Sequence, residues 1–374
     1  MGAILGPPFI GGNRVTTLQN GVEIFPAMLA AIRGAKRSIT FETYIFDEGE
    51  IPQQFADALA ERARAGVKVH LIVDGHGATD SRAFHGMLRE AGVDVVEYSP
   101  AVWSLNPFRY NNRTHRKLLV IDGRIGFIGG VGIADEWKGN ADTPEHWRDL
   151  HYRVEGPVVA EMQGAFLDSW MRADRKLLHG PDYFPALPPR GDLLASVFYA
   201  SPAHGGRNVE IMVNLAISSA RKSILIENSY FVPDDDTLAS LIAAARRGVR
   251  IQIIGPNKYI DAPAVRRASH ARMGELLRAG IEYYEYQPTF THAKLLIVDD
   301  LFVSVGSANL DYRSLELNAE ANLNVLDAGF AAEQTRIFQA DLRKSRRIDE
   351  AELERLRRRG TLLRVVEAPL TPQL

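Results

Sequence analysis

The chain contains the same unit twice. AIRGAKRSI (31–39) aligns with AISSARKSI (216–224), and TFETYIF (40–46) aligns with LIENSYF (225–231) at the same offset. Further on, ARAGVKVHLIV (63–73) matches ARRGVRIQIIG (245–255), AGVDVVEY (91–98) matches AGIEYYEY (279–286), and THRKLLVID (114–122) matches THAKLLIVD (291–299). Five matches in one order, with offsets that drift only by loop length, limit the fold to one that two copies of a unit can build. Each copy reads as a helix ending at a basic pair, a β-rich strand, a second helix ending at Gly, and then strands rich in Val, Ile and Leu. Such alternation predicts an α/β sandwich.

The 374 residues, 46% of them apolar, suffice for two sizeable cores. The Pro- and Gly-dense segment HGPDYFPALPPRGD (179–192) has no apolar period and marks the connection, giving domains 1–193 and 194–374. Beyond the second motif, ELNAEANLNVLD (316–327) has strand character, and AAEQTRIFQADLRKSRRIDEAELERLRRRG (331–360) reads as one charged helical stretch. Its Arg run reads first as a solvated face and second as a lipid-headgroup contact.

The formal net charge of -2 gives no global attraction to polyanions, so phosphate would have to be drawn by local clusters. With no cysteine, thiolate zinc sites, disulfides and cysteine nucleophiles are excluded. No apolar run reaches the roughly 18 to 20 residues that span a bilayer, and the first residues lack the pattern of a signal peptide. The expected location is cytoplasmic.

The chemistry is carried by His115, Lys117 and Asp122 in the first copy and His292, Lys294 and Asp299 in the second. Residues two apart on a strand share a face, so each His projects with its Lys. Two His and two Lys brought to one site suit a phosphodiester: one imidazole attacks phosphorus, the other protonates the leaving oxygen, and the ammonium groups neutralise the non-bridging oxygens. An ordinary imidazole pKa of about 6.5 lets one ring be neutral while the other is charged. A Lys beside each His disfavours a metal, so neither metal nor cofactor is expected. In VGSANLDYRSLELNAE (305–320), Gly306 and Ser307 would let backbone approach a phosphate. Asn309 offers an amide donor, and Glu320 could fix the tautomer of a catalytic imidazole.

These motifs resemble the phospholipase D superfamily, whose HxKxxxxD and GSxN signatures stand here as His292, Lys294, Asp299, Gly306, Ser307 and Asn309. HRKLLVIDGRIGFIGGVGIADEW (115–137), HWRDLHYRVEGPVV (146–159) and GSANLDYRSLELNAE (306–320) resemble bacterial cardiolipin synthases, and the likeness runs through nearly the whole chain. The resemblance implies two pseudo-symmetric α/β/α sandwich domains sharing one active site, and a metal-free phosphohistidine mechanism. It makes His115 the nucleophile and His292 the general acid, with Asp149 and Glu320 as their respective orienting carboxylates. It leaves Asp122 and Asp299 to brace the structure. The reaction implied is phosphatidyl transfer from phosphatidylglycerol to a second phosphatidylglycerol, giving cardiolipin and glycerol, at the inner face of the cell membrane. A phospholipase D hydrolase, a nuclease and a binding module with a relic site are the alternatives; near-neutral charge weighs against nucleic acid. One departure stands out: Gly132 occupies the place of the family's Asn in the first copy, removing a phosphate donor. AVWSLNPFRY (101–110) and FLDSWMRADRKLLHGPDYF (166–184) are candidates for interfacial contact.

Overall fold

In the computed structural model, residues 7–78, 82–98, 113–173, 177–201 and 207–360 are described. The stretch 101–110 lies outside them. The first half places β1 (Ile10–Gln19), β2 (Ser38–Thr43), β3 (Lys68–Asp74), β4 (Asp94–Tyr98), β5 (Leu118–Ile121), β6 (Ile125–Gly129) and β7 (Leu150–Glu155). The second places β8 (Leu193–Ala200), β9 (Ser223–Asn228), β10 (Phe231–Val232), β11 (Arg250–Gly255), β12 (Glu282–Tyr286), β13 (Lys294–Val298), β14 (Phe302–Gly306), β15 (Leu310–Asp311), β16 (Glu320–Leu326) and β17 (Ser345–Ile348). Strand order runs β1-β7-β6-β5-β2-β3-β4 in one half and β8-β16-β14-β13-β9-β11-β12-β17 in the other, so the duplication seen in sequence is a duplication of topology. β1 and β8 pair antiparallel at the centre, through an irregular register, and join the halves into one sheet.

Helices cover the sheet on both faces, which is why β2, β5, β13 and β14 read as unbroken apolar or buried runs. α1 (Asn20–Gly34), α2 (Glu50–Arg64) and α3 (Arg82–Glu90) lie over the first half, and α4 (Val159–Ala173) lies on its other face. α5 (Asn208–Ser219), α6 (Asp235–Arg246) and α7 (Pro263–Arg278) cover the second half. α8 (Ala328–Arg343) takes the inner face, and α9 (Glu350–Gly360) packs on α7. Side-chain caps start α6 and α8: Asp234 accepts from the Thr237 N–H, and Asp327 from the Phe330 N–H, at 2.7 Å each.

The motif strands show how period-two sequence builds this arrangement. Leu119 and Ile121 enter the outer core of the first half, whereas Leu118 and Val120 meet Leu295 and Ile297 of the second half in a central core. The charged stretch 331–360 is not one helix. β17 interrupts it and adds an antiparallel edge to β12, where Arg346 and Arg347 can stay in water.

Asp122 and Asp299 do not join the His and Lys side chains. Each sits at the far end of its motif strand in a left-handed turn, at φ 53° and 55°, a conformation Asp tolerates. Asp122 accepts from the backbone N–H groups of Lys36, Arg37 and Ser38, and Asp299 from those of Arg221, Lys222 and Ser223. Their placement among catalytic candidates is therefore corrected: they clamp the motif strand to the preceding helix–strand turn, as the family resemblance implies. The three N–H donors outweigh burial and hold Asp299 below the usual carboxylate range. Asp299→Ala is expected to destabilise the fold by about 1–3 kcal/mol, read as a lower Tm at pH 7. Because a depressed carboxylate contributes stability only while ionised, the Tm difference between wild type and variant should shrink as pH falls below 4.

Candidate active site

Two short crossings between the halves create the site. Thr114 forms a bridge with Ala319, and Thr291 forms one with Arg148. The His115 N–H donates to the Ala319 carbonyl at 2.9 Å, and the His292 N–H donates to the Arg148 carbonyl at 2.6 Å. Each motif is thus stitched to the segment leading into an acidic residue of the opposite copy. His115, Lys117, His292 and Asn309 line one cavity of about 200 Å³.

This register decides which carboxylate meets which imidazole. Nδ1 of His115 lies 2.9 Å from Oε1 of Glu320, and Nδ1 of His292 lies 3.0 Å from Oδ2 of Asp149. The expected pairing, Asp149 with His115 and Glu320 with His292, is therefore reversed. The residue after Ala319 is Glu320 and the residue after Arg148 is Asp149, so crossing the halves exchanges the carboxylates. A carboxylate only accepts, so each imidazole carries its proton on Nδ1 and keeps Nε2 as an acceptor, which in His292 lies 3.1 Å from Lys294 Nζ.

The two carboxylates are held by different side chains at matching positions. Glu320 accepts from Ser307 Oγ at 2.5 Å and Ser314 Oγ at 2.8 Å. Asp149 accepts from Trp137 Nε1 and from the Leu150 N–H, both at 2.8 Å. Trp137 stands five residues past Gly132 and Ser314 five past Asn309, so indole and hydroxyl are alternative solutions to one task. Ser307 is fully buried and serves Glu320, not a phosphate, and Gly306 lets β16 come close: a Cβ there would lie 2.3 Å from the Ala321 carbonyl. In the first copy Gly130 replaces Ser307, and a Cβ would lie 2.3 Å from Asp149 Oδ1. Gly132 is equally enforced, because a Cβ would fall 2.9 Å from Ile45 Cβ and 3.1 Å from the Trp137 ring. The indole fills the space where the family's Asn would sit.

Lys294 donates to Ser229 Oγ at 2.7 Å, and Ser229 Oγ donates to Asn309 Oδ1 at 2.8 Å. This relay leaves the Asn309 amide nitrogen as its cavity-side donor. Burial pushes the Lys117 and Lys294 ammonium groups down to about 7 and about 8, with nearby carboxylates opposing the fall. Burial also lowers His115 to about 4, against the pull of Glu320, and holds His292 well below its ordinary value, helped by both lysines. Asp149 is raised to about 6 by burial despite Lys294 and its N–H donors. A phosphodiester anion entering the cavity favours every protonated cation there.

Several residues of the site carry no motif. Trp137 and Trp147 flank the His292 ring at centroid distances of 5.2 and 5.6 Å, the second stacked, and Tyr230 meets it edge-on at 6.4 Å. Arg113, Asp261, Asp311 and Arg313 complete much of the lining. Glu42 and Glu227, invisible as site residues in the sequence, are fully buried and accept from Thr114 and Thr291 of the motifs. The internal alignment pairs them, and that was the available signal. Of the stretch 166–184, Phe166 and Trp170 are core residues, whereas Met171, Leu177 and Phe184 are exposed.

The profile of the family described as "Cardiolipin synthase, PLD-like domain" matches residues 28–141 and 213–342. Cardiolipin synthase A of Pseudomonas fluorescens is 35% identical over 346 residues, spanning 92% of this chain and 72% of that protein. Cardiolipin synthase of Geobacillus kaustophilus is 34% identical over 365 residues, spanning 97% and 72%. Among solved structures, phosphatidylserine synthase of Haemophilus influenzae superposes with a TM-score of 0.70 at 14% identity, over 100% of this chain and 98% of that one, and shows the same fold. Fold, paired motifs and these relatives define a phosphatidyltransferase of the phospholipase D superfamily. Within that superfamily the chain belongs to the cardiolipin synthase PLD-like family.

Two outcomes are expected from this geometry. Trp137→Phe removes a donor that favours ionised Asp149, so the acidic limb of kcat should move to higher pH; an unmoved limb would show that the indole only packs. Gly132→Asn, which puts back the family residue, should lower both Tm and turnover, because Ile45 and Trp137 would have to give way.

Proposed function

We propose that the protein transfers a phosphatidyl group from one phosphatidylglycerol to another, forming cardiolipin and glycerol through a phosphohistidine. The observation that carries this reading is the pair of imidazoles lining one cavity, each with Nδ1 tied to a carboxylate and each beside a lysine. His115 Nε2 attacks phosphorus as the bond to the glycerol oxygen breaks, and His292, protonated in the substrate complex, gives its proton to that oxygen. A hydroxyl of the acceptor then bonds to phosphorus as the P–N bond breaks, and its proton passes to His292. The roles of His115 as nucleophile and His292 as acid follow the family resemblance; both rings have aromatic neighbours, Tyr44 beside His115 at 5.3 Å and Trp147 stacked on His292 at 5.6 Å. Lys117, Lys294 and the Asn309 amide neutralise the non-bridging oxygens. The same lysines disfavour a bound cation beside either imidazole, so the mechanism needs no metal.

A phospholipid substrate implies work at a membrane surface. Among the described residues no helix is long and apolar enough to cross a membrane. On this proposal the protein reaches its substrate by peripheral contact with the cytoplasmic face.

The test is to incubate the full chain with phosphatidylglycerol in mixed micelles and quantify cardiolipin, glycerol and phosphatidic acid by mass spectrometry. Cardiolipin and glycerol should appear in equal amounts, and His115→Ala should abolish both. Peptide mapping after acid-free quenching should find a phosphatidylated peptide containing His115. Phosphatidic acid as the sole lipid product would make the enzyme a hydrolase, and adduct on His292 instead would reverse the two roles.

A further inference from the structure

Behind His292, two buried carboxyl groups share one guanidinium. Glu227 of β9, Asp341 of α8 and Arg148 at the crossing are 0%, 3% and 4% exposed. Every N–H of the Arg148 guanidinium is placed: two meet Asp341, and the others go to Asn20, Gln19 and the Asp149 carbonyl. None reaches Glu227. Oε1 of Glu227 accepts from Thr291 Oγ1 at 2.5 Å, while Oε2 has no hydrogen-bond partner among the described residues. A bare oxygen in a dry core costs far more on an ionised carboxylate than on a neutral acid.

The charged and titratable groups around Glu227 do not relieve that cost. Asp341 and Asp149 oppose its ionisation, Arg148 favours it, and Tyr286 of β12 and Tyr152 of β7 are phenols that burial keeps neutral. Burial, with Asp341 adding to it, pushes the Glu227 carboxyl up to about 8. In the first copy Glu42 accepts from Thr114 in the same way, but Arg116 and Arg172 both pair with Asp168, so a second cation stands there to balance the charge. The two copies therefore differ at this point.

Thr291 links the acid to the chemistry. Its backbone bridges to Arg148, and the next N–H, that of His292, donates to the Arg148 carbonyl at 2.6 Å. We propose that Glu227 is a positioning residue for His292 and works as a neutral carboxylic acid, with its proton on Oε2 and Oε1 holding the Thr291 hydroxyl. It touches no substrate; it acts through Thr291 on the crossing that aims the imidazole at the leaving oxygen. The inference rests on the reading of His292 as the acid in phosphatidylglycerol turnover.

Variants of the full chain test this with phosphatidylglycerol in mixed micelles, turnover being read as glycerol released. Glu227→Gln keeps an acceptor for Thr291 and cannot ionise, so it should keep the wild-type kcat. The double variant Thr291→Val/Glu227→Leu replaces both partners by apolar groups of similar size and should still fold. Its kcat should nevertheless fall about 100-fold, the scale of a misplacement of roughly 1 Å, with KM little changed. A double variant with wild-type kcat would show that the pair only packs, and a Glu227→Gln variant as slow as the double one would show that a charge is required; either result overturns the proposal.

Lys117 and Lys294 titrate in the same range as Glu227, so the protonation of Glu227 is read on Tm instead. A carboxyl raised in the fold contributes its full stability below its ordinary value of 4.5 and loses it as pH rises through about 8. The Tm of Glu227→Gln should therefore gain on that of wild type across this range and keep a constant lead above it. A difference that does not change with pH would put a charge on Glu227 and overturn the neutral acid. This comparison needs no substrate, so a wild type without turnover would count against the phosphatidylglycerol reading while the Tm difference still decided the state of Glu227.

Discussion

Everything in the active site depends on two backbone crossings, Thr114 with Ala319 and Thr291 with Arg148. They are short, but they set register, and register decides which side chains meet. By pairing each motif with the opposite copy they hand Glu320 to His115 and Asp149 to His292. Neither half alone holds an oriented imidazole, so the enzyme is one catalytic unit despite its duplicated chain. The broad central core, where Leu118 and Val120 meet Leu295 and Ile297, supplies the apolar burial that keeps these crossings in place.

Such a site requires many buried polar groups, and two buried arginines tie together the elements that carry it. Arg116, fully buried, donates to Asp168 at 3.0 Å, to Ser169 and Ser201 at 2.8 Å, and to the Ala200 carbonyl at 2.9 Å. It joins α4 to β8, beside the Glu320 strand. Arg148 does the same for the other crossing: its guanidinium donates to Asp341 of α8 at 2.9 and 3.0 Å and to Asn20 of α1 at 3.0 Å. Removing either partner would leave a charge without compensation, a far larger cost than losing a surface ion pair. The two arginines take up the preceding position in different ways, one within a motif and one before an orienting aspartate, so the pseudo-symmetry of the backbone does not extend to its supports.

The halves have also diverged at the site itself. The second copy holds its carboxylate with two serine hydroxyls and keeps Asn309 toward the cavity. The first holds its carboxylate with an indole and has glycine at both matching small positions. The loss of Asn at 132 is thus coupled to the presence of Trp137: the ring that steadies Asp149 takes the volume an amide would need. The result is that His115 meets the Tyr44 ring while His292 is flanked by Trp137 and Trp147, a difference between two otherwise equivalent imidazoles on which separate chemical roles can rest.

The sequence by itself determined the duplication, the α/β alternation and the paired His-Lys motifs, because each is a local pattern: strand period, helix period and motif spacing are written in neighbouring residues. It also contained Asp149, Glu320 and Asn309 as candidates. The tertiary structure alone decided their partners. The exchange of carboxylates between halves, the role of Ser307 as a support for Glu320, and the place of Asp122 and Asp299 at the outer turns all follow from register between segments far apart in the chain. So do the aromatic walls around His292. Spacing along the chain shows which residues share a strand face, but it carries no information on which distant strand lies opposite, and in this protein the opposite strand belongs to the other copy.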